Sequence, residues 1–298
     1  MKFDAAFRVA CACCKADGAN VPEVEAVIRL LLPTLLGVWR ARLDELAREA
    51  DRILSGGTPD AGDVALLLAA YVTRLEAVAA TPLPAGARLR IEQAAGELAN
   101  AASQRNLLPG PSAQIAREVL AAEQMQLLVE EAANRAIQGS LEAAQAVLAA
   151  PSGPGSEEAR QAARSALRAK IDAEQAVQAI VDSWAYGTWN AATVRAAAAD
   201  GHRFIQLVAK VDDVTTQFCR LVNGRIVPMS VALAQLDRIE AAVRSGDPGA
   251  LVSAHPFVSN ARTATQADVD AVLARGGIAP FHHGCRTQNV PIRLTATS

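Results

Sequence analysis

The stretch "PFHHGCRTQNVP", Pro280 to Pro291, puts two of the chain's four histidines and one of its five cysteines between positions 282 and 285. Residue types that are rare elsewhere and crowded here mark a metal site, a nucleophile with its base, half of a disulfide or a folding motif. The flanks say what kind of fold carries it. "QNVPIRL" reads as a final strand, at an edge where Pro291 can lack its N–H. On the other side, Thr265 with Asp268 three residues on predicts a capped short helix ending near Arg275. Further upstream, "FIQLVAKVDD" alternates like a strand, "VNG" is turn material and "RIVP" a second short strand, together a β-hairpin. A helix from about Ser230 to Ser245 follows, then a loop, "GDPGALVSAHPFVSNART". The C-terminal part is therefore a small α+β module.

The rest of the chain reads as helix. Asn20 before "VPE" opens one, with apolar Val24, Val27, Ile28, Leu31, Leu35, Trp39, Leu43, Leu46, Ile53 and Leu54 at helical spacing and a kink expected at Pro33. A second carries Val64, Leu67, Leu68, Tyr71, Val72, Leu75 and Val78. A third runs from about Ala85 to Leu107 and a fourth from about Ala113 to Ile137. "PSGPGS" (151–156) reads as a linker. Beyond it a helix of about 45 residues is expected, either continuous or broken near Tyr186–Gly187, and closed by Gly201. The fold class is thus mainly α: a helical bundle or arm over residues 1–150, the linker, then a long connecting helix and the α+β module with its short β-hairpin over 157–298.

Composition narrows the function. Hydrophobic residues make up 51% of the chain and aromatics only 4%, so alanine-rich helix packing has to form much of the core. The formal net charge is −2, with 14 Lys and Arg against 18 Asp and Glu in residues 1–150 and 15 against 13 in residues 151–298. A nucleic-acid binder usually shows a clear basic excess, so weak or no DNA binding is expected. Arg160, Arg164, Arg168 and Lys170 lie between Glu157 and Glu158 on one side and Asp172 and Glu174 on the other, as on a solvated, mixed-charge helix face. The longest apolar run, Leu30–Trp39, is about half of the ~20 residues that a membrane span requires. The first fifteen residues hold no sustained apolar run, and the cysteine count is odd. These features predict a chain made in a reducing cytosol, with no membrane association.

Several chemistries fit the cysteines. Cys219, His282, His283 and Cys285 supply two thiolates and two imidazoles, a legitimate set for structural zinc. A Cys219–Cys285 disulfide would clip the same segments together. Two reduced, buried cysteines beside a hydrogen-bonded histidine need neither. A thiol nucleophile with His282 or His283 as base is the fourth alternative, which would make the chain a thiol or zinc-dependent hydrolase. Cys11, Cys13 and Cys14 ("CACC") offer at most three ligands. Arg286 is expected to pair with Asp212, Asp213 or backbone carbonyls. Trp39, Trp184 and Trp189 read as core or interface anchors. No phosphate-binding glycine loop, H-E-x-x-H or G-x-S-x-G occurs, so no enzyme and no cofactor are expected, with structural zinc as the exception.

Taken together, "VDDVTTQFCRLVNGRIV" and "APFHHGCRTQNVPI" resemble the C-terminal signature of the phage Mu F-like head morphogenesis family. Asp212 and Thr215 or Thr216 match its opening, Cys219 its first cysteine, and Asn223 and Gly224 its turn. Pro280, His282, Cys285 and Arg286 match its second half, and "GTWNAA" sits where the family keeps a polar helical segment. The resemblance spans about Ile180 to Leu294. Many members carry further cysteines near these, whereas here Leu221, Val222 and Thr287 stand in their place. The resemblance implies a low-copy minor head protein that contacts the portal or the inner face of the major capsid shell. It also implies location in the host cytoplasm during assembly and then in the virion head. Self-association and a DNA-contacting internal head protein are the further alternatives.

Overall fold

The computed structural model describes residues 7–10, 21–55, 73, 77, 81–106, 108, 122–130, 156, 173–258, 260–282 and 285–296. The chain divides into two compact units, each discontinuous in sequence. Met1–Leu31, Arg88–Leu127 and Ala179–Ser298 form the first, Leu32–Ala87 and Leu128–Gln178 the second. Of the expected linker only Ser156 is among the described residues. Of the helix expected from Val64 to Val78 only Thr73 and Ala77 are described, both helical. The segment with Arg160 to Lys170, and Cys11, Cys13, Cys14 and His283, lie outside the described residues.

The protein is mainly helical with a small C-terminal α+β module, as the sequence leads one to expect. Helix α1 (Pro22–Ser55) has Pro22 at its first position, where the missing N–H costs nothing, and Glu23 and Glu25 in its first turn. It continues through Pro33. Val24, Val27, Ile28, Leu31 and Leu35 are buried. Helix α2 (Ala85–Arg105) buries Ile91, Ala94, Ala95, Leu98, Ala99 and Ala102, an alanine-rich stripe that leaves room for close neighbours. Residues 122–130 are also helical. Within the first unit, Arg105 pairs with Glu23 at 3.3 Å and Arg88 with Glu123 at 3.0 Å. These exposed pairs contribute little; burial of the stripes is what holds the helices.

Helix α3 (Ala173–Ala199) runs unbroken through Tyr186–Gly187. From Ser183 to Val194 every residue is buried, Trp184 and Trp189 included. A helix buried on all sides lies inside a core. Gly201, at φ +78°, then turns the chain into strand β2 (Phe204–Val208). The strands of the expected hairpin, β2 and β3 (Ile226–Pro228), do pair antiparallel. A six-residue helix, α4 (Gln217–Val222), lies between them where the sequence reading saw only a turn. Helix α5 (Met229–Ser245) follows and ends at Gly246 in the left-handed region. The expected loop after it contains another helix, α6 (Pro248–Ala254), capped by the Asp247 carboxylate on the Ala250 N–H at 3.0 Å. Helix α7 (Gln266–Arg275) has the full capping box of Thr265 and Asp268.

The sheet order is β1-β4-β2-β3, with β1 spanning Phe7–Ala10 and β4 Gln288–Ala296. Strand β4 is therefore not the edge strand expected, since β2 flanks its first half and β1 its second. Pro291 is tolerated for a different reason. Leu207 donates to Arg225 O and accepts from Gly224 N, so the backbone polar groups of Leu207 and Ile205 face β3. Ile205 and its partner Pro291 then form a non-hydrogen-bonded pair, and the proline nitrogen points away from β2. Pairing with β1 begins only at Arg293. The proline thus falls in a slot that demands no donor.

The segment leading into the histidine loop, Gly277–Ile278–Ala279, is held by side-chain amides instead of a neighbouring strand. Gln235, fully buried on α5, accepts from Ile278 N at 2.8 Å and donates to Ile278 O at 3.4 Å. Asn289 on β4 accepts from Ala279 N at 3.2 Å and donates to Gly277 O at 2.7 Å. Asn190 on α3 donates to Ala279 O at 3.2 Å and Thr287 O at 3.1 Å, and accepts from Asn289 N at 2.8 Å. Buried backbone groups must find partners, and here three amides supply them. The fit is close. A β-carbon at Gly277 would run into the Val227 side chain, and one at Gly276 into Gln235.

Candidate functional site: a Cys–His cluster between helix α4 and strand β4

Thr216 caps α4, its hydroxyl accepting from the Cys219 N–H at 3.4 Å, which fixes Cys219 in the first turn. The amide-held segment delivers Pro280, Phe281 and His282 to the same place, and Phe281 packs against Phe218 with ring centroids 5.3 Å apart. The Cys285 N–H then returns to His282 O at 3.1 Å. As a result, residues more than sixty positions apart in sequence meet. Cys219 Sγ lies 3.0 Å from His282 Nε2 and 3.7 Å from Cys285 Sγ. Thr216 Oγ1 is 3.0 Å from the same imidazole nitrogen, and Thr287 Oγ1 donates to Cys219 Sγ at 3.4 Å. Both cysteines are buried and free; 3.7 Å is far beyond the roughly 2.05 Å of a disulfide.

These neighbours split the two thiols electrostatically. A hydrogen bond from Cys285 pulls the Cys219 thiol down to about 6, against the upward push of burial and with help from Thr287, Thr216 and the nearby Arg286 guanidinium. Burial first, then Cys219, pushes Cys285 well above the ordinary thiol range. Replacing Cys285 by alanine removes the largest cause, so the Cys219 thiol should move back up toward its ordinary value. Thiolate ultraviolet absorbance against pH, corrected with Cys219→Ala, measures this. An unchanged midpoint would mean that the sulfur–sulfur contact does not set the thiolate.

Beside the cluster, Arg286 Nη2 donates to both carboxylate oxygens of Asp212, at 2.9 and 2.8 Å. Asp213 is not its partner. Thr215 completes a tight turn: its hydroxyl lies 2.8 Å from Asp212 Oδ1 and accepts from the Asp212 N–H at 2.7 Å. The Asn223 side-chain Oδ1 accepts from Ala209 N at 3.0 Å, and Gly224 at φ +81° lets its N–H reach Leu207 O at 2.7 Å. Thr215 first, and then Arg286, hold the Asp212 carboxyl below its usual 3.8. A depressed folded-state value contributes stability that is present above pH 3.8 and lost as pH falls through the lower folded value. Asp212→Asn should remove that acid-sensitive step and lower the melting temperature at neutral pH. Melting curves from pH 7 to about pH 2 would show it, and an unaltered acid profile would count against the pair.

The structure brings Cys219, His282 and Cys285 together, with the Asp212–Arg286 pair and Thr215 beside them. Asn223 and Gly224 bond to β2 at the far end of α4, and Pro280 leads into the loop. Residues that sequence reasoning passed over are also here. Asn190, Gln235 and Asn289 position the histidine loop, and Thr287 touches the thiolate. Gln235 is a lone amide in a helical run, while Asn190 lies in "GTWNAA" and Thr287 and Asn289 in the polar run after Cys285, with nothing in the sequence to mark them as partners of the loop. Another buried group, His255, lies at the end of α6, with its Nε2 3.5 Å from Gln124 Nε2. Comparison with protein-family models, curated proteins and solved structures finds no match to this chain. Among the described residues, no helix is long and apolar enough to cross a membrane.

Proposed function

We propose that this chain is a minor head protein of a tailed phage, acting by binding and without a chemical step. It would contact the portal and the inner capsid during head assembly and DNA packaging or ejection. The observation that carries the reading is the convergence of the two halves of the signature. Asp212, Thr215 and Cys219 from one half meet His282, Cys285 and Arg286 from the other, so the motif works as a structural lock rather than as two separate turns. A lock of this kind suits a small module poor in aromatics that must hold its shape against a large partner.

A second reading has one observation in its favour: a thiol drawn down to about 6 with an imidazole 3.0 Å away is the beginning of a nucleophile–base pair. Against it, Cys219 is buried, and Cys285, Thr287 and His282 already lie against its sulfur. Quantitative mass spectrometry of particles made with this gene, together with co-expression with the portal protein of the same phage, tests the first reading. A few copies per particle and co-purification with portal are expected. Absence from particles, with the chain free in solution, would sink it.

A further inference from the structure

We propose that Cys219, His282 and Cys285 form a binding site for a single zinc ion, with a fourth position open to water or another donor. The inference stands independently of the head-protein reading. It starts from three donor atoms of the right chemistry, two sulfurs and an imidazole nitrogen, all within 4.8 Å of one another. Sulfur donors disfavour magnesium and calcium, an iron–sulfur cluster usually takes four thiolates, and a mixed thiolate–imidazole set suits zinc.

Distances give a second argument. In a tetrahedral site with Zn–S near 2.3 Å, two sulfurs lie about 3.8 Å apart, and a sulfur and an imidazole nitrogen about 3.6 Å. The sulfurs of Cys219 and Cys285 are 3.7 Å apart, so that edge is already set. Cys219 Sγ and His282 Nε2, at 3.0 Å, would have to separate by about half an ångström. His282 is only half-buried and sits on a loop, where its ring can adjust to widen this edge and to bring the imidazole, within 4.8 Å of Cys285 Sγ, into range.

The surroundings are those of a supported ligand set. Thr287 donates a hydrogen bond to the Cys219 sulfur, which helps keep it a thiolate. Thr216 caps the helix carrying Cys219, and its hydroxyl, 3.0 Å from His282 Nε2, would give up that nitrogen to the ion. Two thiolates and one neutral imidazole cancel the charge of a zinc ion, so the ion would not disturb the neighbouring Arg286–Asp212 pair. Cys219 is separated from His282 by 63 positions and from Cys285 by 66. One ion would therefore close a long loop and tie α4 to the entrance of β4.

The test uses the full chain, reduced and stripped of metal, titrated with cobalt(II) and then with zinc. One equivalent of cobalt should give the intense visible absorption and sulfur charge-transfer band of a tetrahedral thiolate site, and zinc should displace it. The signal should persist in Cys11→Ser/Cys13→Ser/Cys14→Ser, and Cys219→Ser or Cys285→Ser should weaken binding by roughly 100-fold or more. Only weak, octahedral-type cobalt absorption, or a tetrahedral signal lost with Cys11, Cys13 and Cys14, would overturn the proposal. Because a cysteine variant could fail to fold, a second measurement uses the unaltered chain. Zinc should protect Cys219 and Cys285 from alkylation, read by peptide mass spectrometry. Equal labelling with and without zinc would also overturn it. A failed zinc test leaves the portal experiment unaffected, so the two readings fall separately.

Discussion

Asn190→Ala should destabilise the first unit by roughly 3 kcal/mol or more. Asn190 is fully buried and makes three hydrogen bonds, all to backbone. Truncation leaves Ala279 O, Thr287 O and Asn289 N without it. Each such buried, unsatisfied group costs about 1–3 kcal/mol. Asn190→Asp separates hydrogen bonding from volume, because it keeps the acceptor for Asn289 N but turns two donors into an oxygen facing two carbonyls. It should be at least as damaging as alanine, and more so as pH rises and the carboxyl is pressed to ionise. Urea denaturation followed by tryptophan fluorescence would measure both, since Trp184 and Trp189 are buried on the same helix. A change below about 0.5 kcal/mol would mean that the three bonds do not restrain the segment.

Acidification should act through His255. Burial pushes its imidazole down to about 4 from the usual 6.5, so the folded protein holds the ring neutral. Between those values the unfolded chain binds a proton that the folded chain does not. Stability is therefore complete above pH 6.5 and falls as pH drops toward 4, by up to about 3 kcal/mol. The ring lines a cavity of about 20 Å³ that also touches Gln124 and Glu240, enough for one water. Glu240 is engaged by Arg195 and Arg244, so its charge is largely spoken for. His255→Gln keeps a polar side chain without a titrating one, and should flatten the stability profile between pH 6.5 and 4. If the variant and the parent lose stability in parallel over that range, the histidine is not responsible. This loss lies at higher pH than that expected from Asp212, so one pH series resolves both.

The elements that were legible in the sequence carry local signals. Thr265 and Asp268 announce α7 because a capping box is a contact between residues three apart. The stripe from Val24 to Leu35 announces α1 because helical periodicity needs no partner to be read. Local signals also misled. "GDPGA" looks like a turn by composition, yet Asp247 caps and Pro248 opens α6, and those same residues are helix-start signals. Helix α4 is too short for periodicity to show, and Thr216 gives its only sequence hint. The place of β4 between β1 and β2 is set by long-range pairing, which no window of sequence contains. At the site, the cysteines and His282 stood out by rarity. Asn190 and Gln235 did not, because a single amide in an apolar helix looks the same whether it is buried against backbone or turned to solvent.

The amides that flank Gly277 to Ala279 change how this part of the molecule can breathe. The Leu207 N–H, bonded to Arg225 O, is released only when two backbones part, a collective event involving both strands. The Ile278 and Ala279 N–H groups are bonded to the side chains of Gln235 and Asn289, so a single rotamer escape frees one of them while every strand stays in register. Hydrogen–deuterium exchange at these two positions would then report torsional hops of individual glutamine and asparagine side chains, proton by proton. The approach to the cysteine cluster would loosen in small independent steps while the sheet beside it still opened as one piece.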